Sequence, residues 1–509
     1  MVPNTRREFL ADVGRGMLVA SLGSAVAGDL GLTSASAADG PDALDFGKLE
    51  PLAALLQDTP LNKLMPTLVA KLKGGTDLRT LVAAGALSNA REFGGRHYDG
   101  YHTFMALGPA YEMAKELPEA QSPLPVLKVL YRNSTHIQAS GGRKNEVLKP
   151  VKGQKLSGEH AGEVLRDLTR KNQPDKAEEV FAGIGNDHPD DMFNHVMYAV
   201  ADDVNVHRVV LAWRAWAMLD FTGKEHAHTL LRQTVLFCCK ENRQGKPAAI
   251  QALLPKLMDQ YKLAGKKPGT RSADTKWVED MAKVIYGGGR DKAAEAAAAA
   301  LGEGFSPEAI AEATALAANQ LLLNDPGRPK QYANDAKPPG SVHGDSVGLH
   351  ASDAANAWRQ IARVSNARNT FASLIVGVYH TAGQNNGQLS EPHHAAELPK
   401  VKETDPAALL SQLEDAIKAG NQAVAAAVTQ VYGGGGHSAR KLCDVLLKYG
   451  VSEDGALHAE KYYRTATEEV AAARAEFKWR HLVALARVTA SEFGRPAPGY
   501  DEAKKLLGV

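Results

Sequence analysis

The strongest constraint on this 509-residue chain is that it repeats itself. The stretch His102-Thr-Phe-Met-Ala-Leu-Gly-Pro-Ala-Tyr-Glu-Met113 aligns without gaps on His207-Arg-Val-Val-Leu-Ala-Trp-Arg-Ala-Trp-Ala-Met218, 105 residues further on. The histidine, Ala110/Ala215, an aromatic residue (Tyr111/Trp216) and Met113/Met218 coincide. His350 with Asn356-Ala357-Trp358-Arg359 forms a related stretch, and Arg480-His481 through Arg487 a fourth. Val284-Ile285-Tyr286-Gly287-Gly288-Gly289 likewise recurs as Gln430-Val431-Tyr432-Gly433-Gly434-Gly435. Apolar positions follow a helical period almost throughout, alanine runs are frequent, and alternating β-branched stretches are scarce. The expected fold class is therefore all-α: four irregular helical-hairpin repeats in a curved or closed α-α array with one continuous core. A helix pair cannot bury its apolar face alone, so neighbouring copies must share that core. The repeats are bounded at 38–140, 141–260, 261–404 and 405–509, behind an N-terminal segment 1–37.

That segment reads as an address. Thr5-Arg6-Arg7-Glu8-Phe9-Leu10 resembles the twin-arginine export signature, with Ala11 where a lysine is frequent. A short apolar stretch from Met17 to Ala27 follows, then Ala35-Ser36-Ala37 as an A-x-A cleavage site. The resemblance implies the twin-arginine export machinery as a partner and a periplasmic or secreted mature chain beginning at Ala38. Cleavage there removes Arg6, Arg7 and Arg15 with Glu8, Asp12 and Asp29, leaving the net charge at +1. With 59 basic and 58 acidic side chains, the basic excess that nucleic-acid binding needs is missing. No other stretch reaches the roughly 18 apolar residues of a bilayer-spanning helix, so no membrane span is expected in the mature chain. Three cysteines without a CxxC exclude a disulfide framework, a zinc ribbon and a c-type haem site.

The chemistry concentrates in the 17 histidines. Three repeat histidines have an aspartate about one helical turn away: Asp99–His102, Asp203–His207 and His350–Asp353. Such spacing places both side chains on one helix face. A carboxylate on one ring nitrogen fixes the tautomer and makes the other nitrogen a better base or ligand. His207, His350 and His102, with Asp203, Asp353 and Asp99, are therefore the candidate catalytic residues. The same aspartates would also serve as helix N-caps. Trp213-Arg214 and Trp358-Arg359 are candidates for holding a planar cofactor by stacking and cation–π contact, or else core tryptophans beside interhelical arginines. His226 and His228 are candidate metal ligands, provided they lie on a loop; on a helix they would diverge by about 200°. The cofactor class this points to is a metal ion. HExxH, GxSxG and phosphate-loop signatures are all absent, and the glycine runs read as helix-ending turns.

The histidine-led helical stretches around His102, His207, His350 and His481 resemble all-helical bacterial proteins related to questin oxidase. The resemblance implies oxygenation of a polycyclic aromatic ketone with a nicotinamide reductant. With no GxGxxG present, such a nucleotide would bind without a Rossmann fingerprint. Two readings follow. In the first, the chain is an exported helical-repeat protein whose His/Asp-lined cavity serves an oxidoreductase or another metal-dependent enzyme acting on a small-molecule ligand. In the second, it is a non-catalytic scaffold binding a protein or small ligand on a concave face. Convergence of His102, His207 and His350 on one point favours the first, and separate burial of each with its own aspartate favours the second.

Overall fold

The computed structural model describes residues 43–154, 161–185, 188–241, 248–344 and 346–509. The export segment expected at 1–37 lies outside the described residues. Within them the chain is all-α, with only isolated bridges such as Arg271–Phe305 in place of strands. No described helix is long and apolar enough to cross a membrane.

The helices that build the centre are, in chain order, α1 (Leu78–Phe93), α2 (Tyr98–Ala114), α3 (Pro123–Ala139), α4 (Val206–Ala217), α5 (Ala227–Lys240), α6 (Thr275–Gly287), α7 (Pro307–Leu323), α8 (Val347–Val364), α9 (Ala367–Ala382), α10 (Gln422–Gly434), α11 (His458–Ala472) and α12 (Lys478–Glu492). Four of them close a ring. α2 packs on α4, α4 on α8, α8 on α11, and α11 back on α2. Each of the four segments expected from the sequence contributes one of these helices.

The ring helices run in one direction. Between α8 and α11, contacts climb both helices together, from His350–His458 through Asp353–Thr465 to Asn356–Glu469. Between α11 and α2 they climb from Lys461–His102 to Arg464–Glu112. Outside this ring α1 and α3 cover α2, α5 covers α4, α7 and α9 cover α8, and α12 covers α11. One apolar cluster runs from Phe46 to Ala503 through inner and outer helices, beside a small second cluster of Ala318, Leu321, Ala351 and Ala355 between α7 and α8.

Local sequence explains where the ring helices begin. Asn205 caps α4 by accepting from the backbone N–H groups of His207 and Arg208, and Ser346 caps α8 by accepting from Leu349. Two glycines allow close approach just before a ring histidine. A Cβ at Gly348 would stand 2.3 Å from the Leu322 backbone of α7, and one at Gly100 would stand 2.5 Å from the Phe93 ring. The start of α11 is held differently. Lys128 on α3 is fully buried, pairs with Glu460 at 2.5 Å, and donates to the carbonyls of Gly450 and Glu453.

The Gly348 contact is with backbone, which cannot swing away. Gly348→Ala should therefore push α8 off α7 and cost about 1–3 kcal/mol, the usual range for overpacking. Chemical denaturation of the two proteins measures this, and an unchanged midpoint would contradict the packing account.

Candidate functional site

The ring of helices brings four histidines to one place, one from the first turns of each helix. His102 sits on α2, His207 on α4, His350 on α8 and His458 opens α11. Their imidazoles form a closed cycle with centroid separations of 4.8 Å (His102–His207), 5.4 Å (His207–His350), 5.5 Å (His350–His458) and 5.0 Å (His458–His102). Tyr98 and Tyr101 lie against the same rings, Tyr98 at 4.4 Å from His102 and Tyr101 at 5.1 Å from His207. His102 and His458 are buried, while His207 and His350 are half-buried.

The facing nitrogens are specific. Nε2 of His350 lies 3.4 Å from Nε2 of His458. The other nitrogen of His458, Nδ1, is 3.0 Å from the Ala456 carbonyl, which can only accept, so Nδ1 carries the proton. Nε2 of neutral His458 therefore presents a lone pair toward His350. That geometry is made by backbone in an uncommon state: Ala456 and Leu457, at φ 51° and 63°, are two successive non-glycine residues in the left-handed region. Strain of this kind persists only where the surrounding structure enforces it, and it clusters at functional sites.

On the opposite side, His102 Nδ1 shares a hydrogen bond of 2.8 Å with Lys461 Nζ. His102 Nε2 is buried and has no hydrogen-bond partner among the described residues. Burial pulls the Lys461 ammonium down to about 7, against the pull of Asp353 and Glu460. Burial, and then the Lys461 charge, hold His102 and His458 well below the ordinary histidine value. The N-terminal ends of four helix dipoles converge here and act in the same sense. Both histidines are thus neutral near pH 7: His458 offers its lone pair at Nε2, whereas His102 has its lone pair at Nδ1, toward Lys461, whenever the ammonium is the donor.

Two of the aspartates expected to orient these histidines, Asp99 and Asp353, have other partners. Asp99 is half exposed and lies 3.8 Å from His136, while His102 is held by Lys461 instead. Asp353 is buried and accepts from Thr465 Oγ1 at 2.7 Å, on the neighbouring ring helix α11. Asp203 is buried just before α4 and accepts from the Val204 N–H. The tryptophan–arginine pairs also divide. Trp358 is buried in the core with its indole N–H toward His380, and Arg359 is clamped by Glu308 and Glu469. Both are structural, because neither offers a free face to a planar ligand. Arg214 is buried near Asp353, Glu468 and Glu112, and Trp213 is half-buried on the same helix.

His226 and His228 do not act together. His226 meets the Phe46 ring edge-on at 5.9 Å, whereas His228 is inside α5 and stacks on Phe181 at 5.6 Å. His481, the fourth echo in the sequence, is buried on α12 in the covering layer. The fourth ring histidine is His458, which sequence reasoning missed. Its available signal was a helix-opening histidine after Gly455 in the last segment, three residues before Lys461.

Four imidazoles around one tetrahedral ion, with metal–nitrogen distances of roughly 2.0–2.1 Å, stand about 3.3 Å apart at nitrogen and about 5 Å apart at their centroids. The His350–His458 nitrogen separation and all four centroid separations match that scale. As they stand, no three His, Cys, Asp or Glu side chains among the described residues already converge to enclose an ion. Compared with protein-family models, curated proteins and solved structures, the chain matches none.

Other histidines are buried as neutral structural groups. Burial holds His228, His343, His380 and His393 at about 4 and His481 at about 3. Each is neutral in the folded protein but would gain a proton on unfolding below about 6.5, so its stabilisation is lost as pH falls. Burial raises Glu92 to about 7 and Glu492 to about 8, and raises Asp353 as well, which acts in the opposite sense. With His102 and His458, the depressed histidines outweigh the three raised carboxyls. Thermal unfolding followed at pH 7 and pH 5 should show a fall in Tm of about 3–6 °C. A Tm that rises on acidification would contradict the neutral assignment.

Proposed function

We propose that the chain is an exported metalloenzyme of the oxidoreductase class, with His102, His207, His350 and His458 as the ligands of one transition-metal ion. The observation that carries this reading is the closed cycle of four imidazoles from four helices, with two Nε2 atoms already a ligand–ligand edge apart. An all-imidazole set suits iron, copper, nickel or zinc and disfavours calcium and magnesium, which take oxygen ligands. Bound iron or copper would supply one-electron chemistry, and four neutral ligands would leave the ion's charge uncompensated and favour its lower oxidation state. The chain's own part is to keep His102 and His458 neutral by burial and to fix His458 through the Ala456 carbonyl. Lys461, lowered to about 7, can as the neutral amine accept the Nδ1 proton of His102 and so leave Nε2 to bind the ion, and Tyr98, 47 % exposed, stands where a substrate would meet the rings. The resemblance to questin-oxidase-like proteins supports an aromatic substrate for this site.

Elemental analysis of protein matured through the export route should find about one iron or copper per chain. His102→Ala and His458→Ala should each reduce this below about 0.1 per chain while far-UV circular dichroism stays helical. Zinc at the same stoichiometry would move the site to Lewis-acid chemistry. Metal-free protein, or variants with unchanged metal content, would leave the scaffold reading.

For the address, we propose twin-arginine export with cleavage after Ala37. Replacing Arg6 and Arg7 together by lysine should abolish appearance of the processed chain outside the cytoplasm. N-terminal sequencing of the exported protein should begin at Ala38. Export that survives the double replacement would overturn the assignment.

A further inference from the structure

Away from the histidine ring, α6, α7, α10, α12 and the segment 390–394 enclose an open cleft of about 600 Å³. That size falls within the roughly 300–1,000 Å³ of small-molecule sites. Its walls carry two buried acceptors that nothing in the described residues satisfies. Asn319, 2 % exposed, donates its amide nitrogen to the Arg480 carbonyl at 3.1 Å. That carbonyl fixes the amide orientation and leaves Oδ1 without a partner. His394, also 2 % exposed, bonds through Nε2 to Gln430 Oε1 at 2.6 Å. The amide oxygen can only accept, so Nε2 carries the proton and the unpartnered Nδ1 is an acceptor. A buried acceptor left unsatisfied is costly, so two on different walls of one cleft call for donors from a ligand.

The remaining lining narrows the class. Trp479 is half-buried and lines the cleft, seated against α10 by edge contact with Tyr432 at 5.9 Å. Arg480 and Glu279 stand 3.8 Å apart, offering both a donor and an acceptor. An anion would meet two bare acceptors with Glu279 and Glu476, and a polyamine would meet Arg480 and Lys283. A neutral polyhydroxyl compound meets neither conflict. Its hydroxyls donate to Asn319 and His394 and accept from Arg480, while an apolar sugar face lies on the indole. We propose that this cleft is a carbohydrate-binding site for a neutral mono- or oligosaccharide, separate from the histidine ring.

Saturation-transfer NMR on the exported protein tests this with maltotriose, cellotriose and chitotriose at about 10 mM, tenfold above a Kd of roughly 1 mM. Spermidine and inorganic phosphate serve as cation and anion probes. At least one trisaccharide should receive saturation, and Trp479→Ala should weaken it about tenfold or more. Gln430→Ala, at an exposed position that leaves the fold intact, should weaken the same sugar, whereas His102→Ala should not. Absence of transfer to all three sugars would overturn the assignment. So would transfer unchanged in both cleft variants, or binding of spermidine or phosphate in place of the sugars.

Discussion

Four helices that start at the same end of one closed ring leave their first-turn side chains nowhere to go but toward one another. The packing of α2, α4, α8 and α11 imposes this on His102, His207, His350 and His458, and the rest of the molecule maintains it. The covering helices are needed because each inner helix would otherwise expose its outer apolar face. Small residues at Gly100 and Gly348 let outer elements press close beside two of the histidines. A longer side chain at either position would displace the ring helix that carries its histidine. The cost of such an arrangement is electrostatic. Four positive helix ends converge beside the buried Lys461, and burial with that charge keeps His102 and His458 unprotonated.

Below the histidines the ring is tied by polar contacts that need buried partners. Asp353 accepts from Thr465, Arg359 bridges Glu308 and Glu469, and Lys128 reaches in from α3 to pair with Glu460. Buried ion pairs add little net stability, but removing one partner is strongly destabilising. Their effect here is positional. Each joins α8 or α11 to a neighbour within three turns of a ring histidine, so the register that aligns the rings is set by hydrogen bonds as well as by apolar packing.

Much of this was legible in the sequence. Helical periodicity and the histidine-led echoes give an all-α chain with a shared core, and three of the four ring histidines stand out by their 3.6-period context. Their partners did not, because one-turn spacing shows which side chains share a face without showing what packs against it. Asp99 turns to His136 on α3, and Asp353 to Thr465 on the neighbouring α11. His458 was hidden for a different reason. Its position depends on two left-handed residues, Ala456 and Leu457, whose side chains give no hint of that conformation. His481 carried the better sequence echo, yet α12 belongs to the covering layer. Trp358 and Arg359 looked like ligand-facing residues only because a helix buried on all sides has no polar face to mark it.

The central claim is that the four imidazoles share one ion. X-ray absorption at the metal edge of the exported protein tests it most directly. The account predicts a first shell of nitrogen at roughly 2.0–2.1 Å, with the outer-shell scattering of about four imidazoles and no sulfur. A shell of oxygen or sulfur ligands, or protein that carries no metal after export, would contradict it.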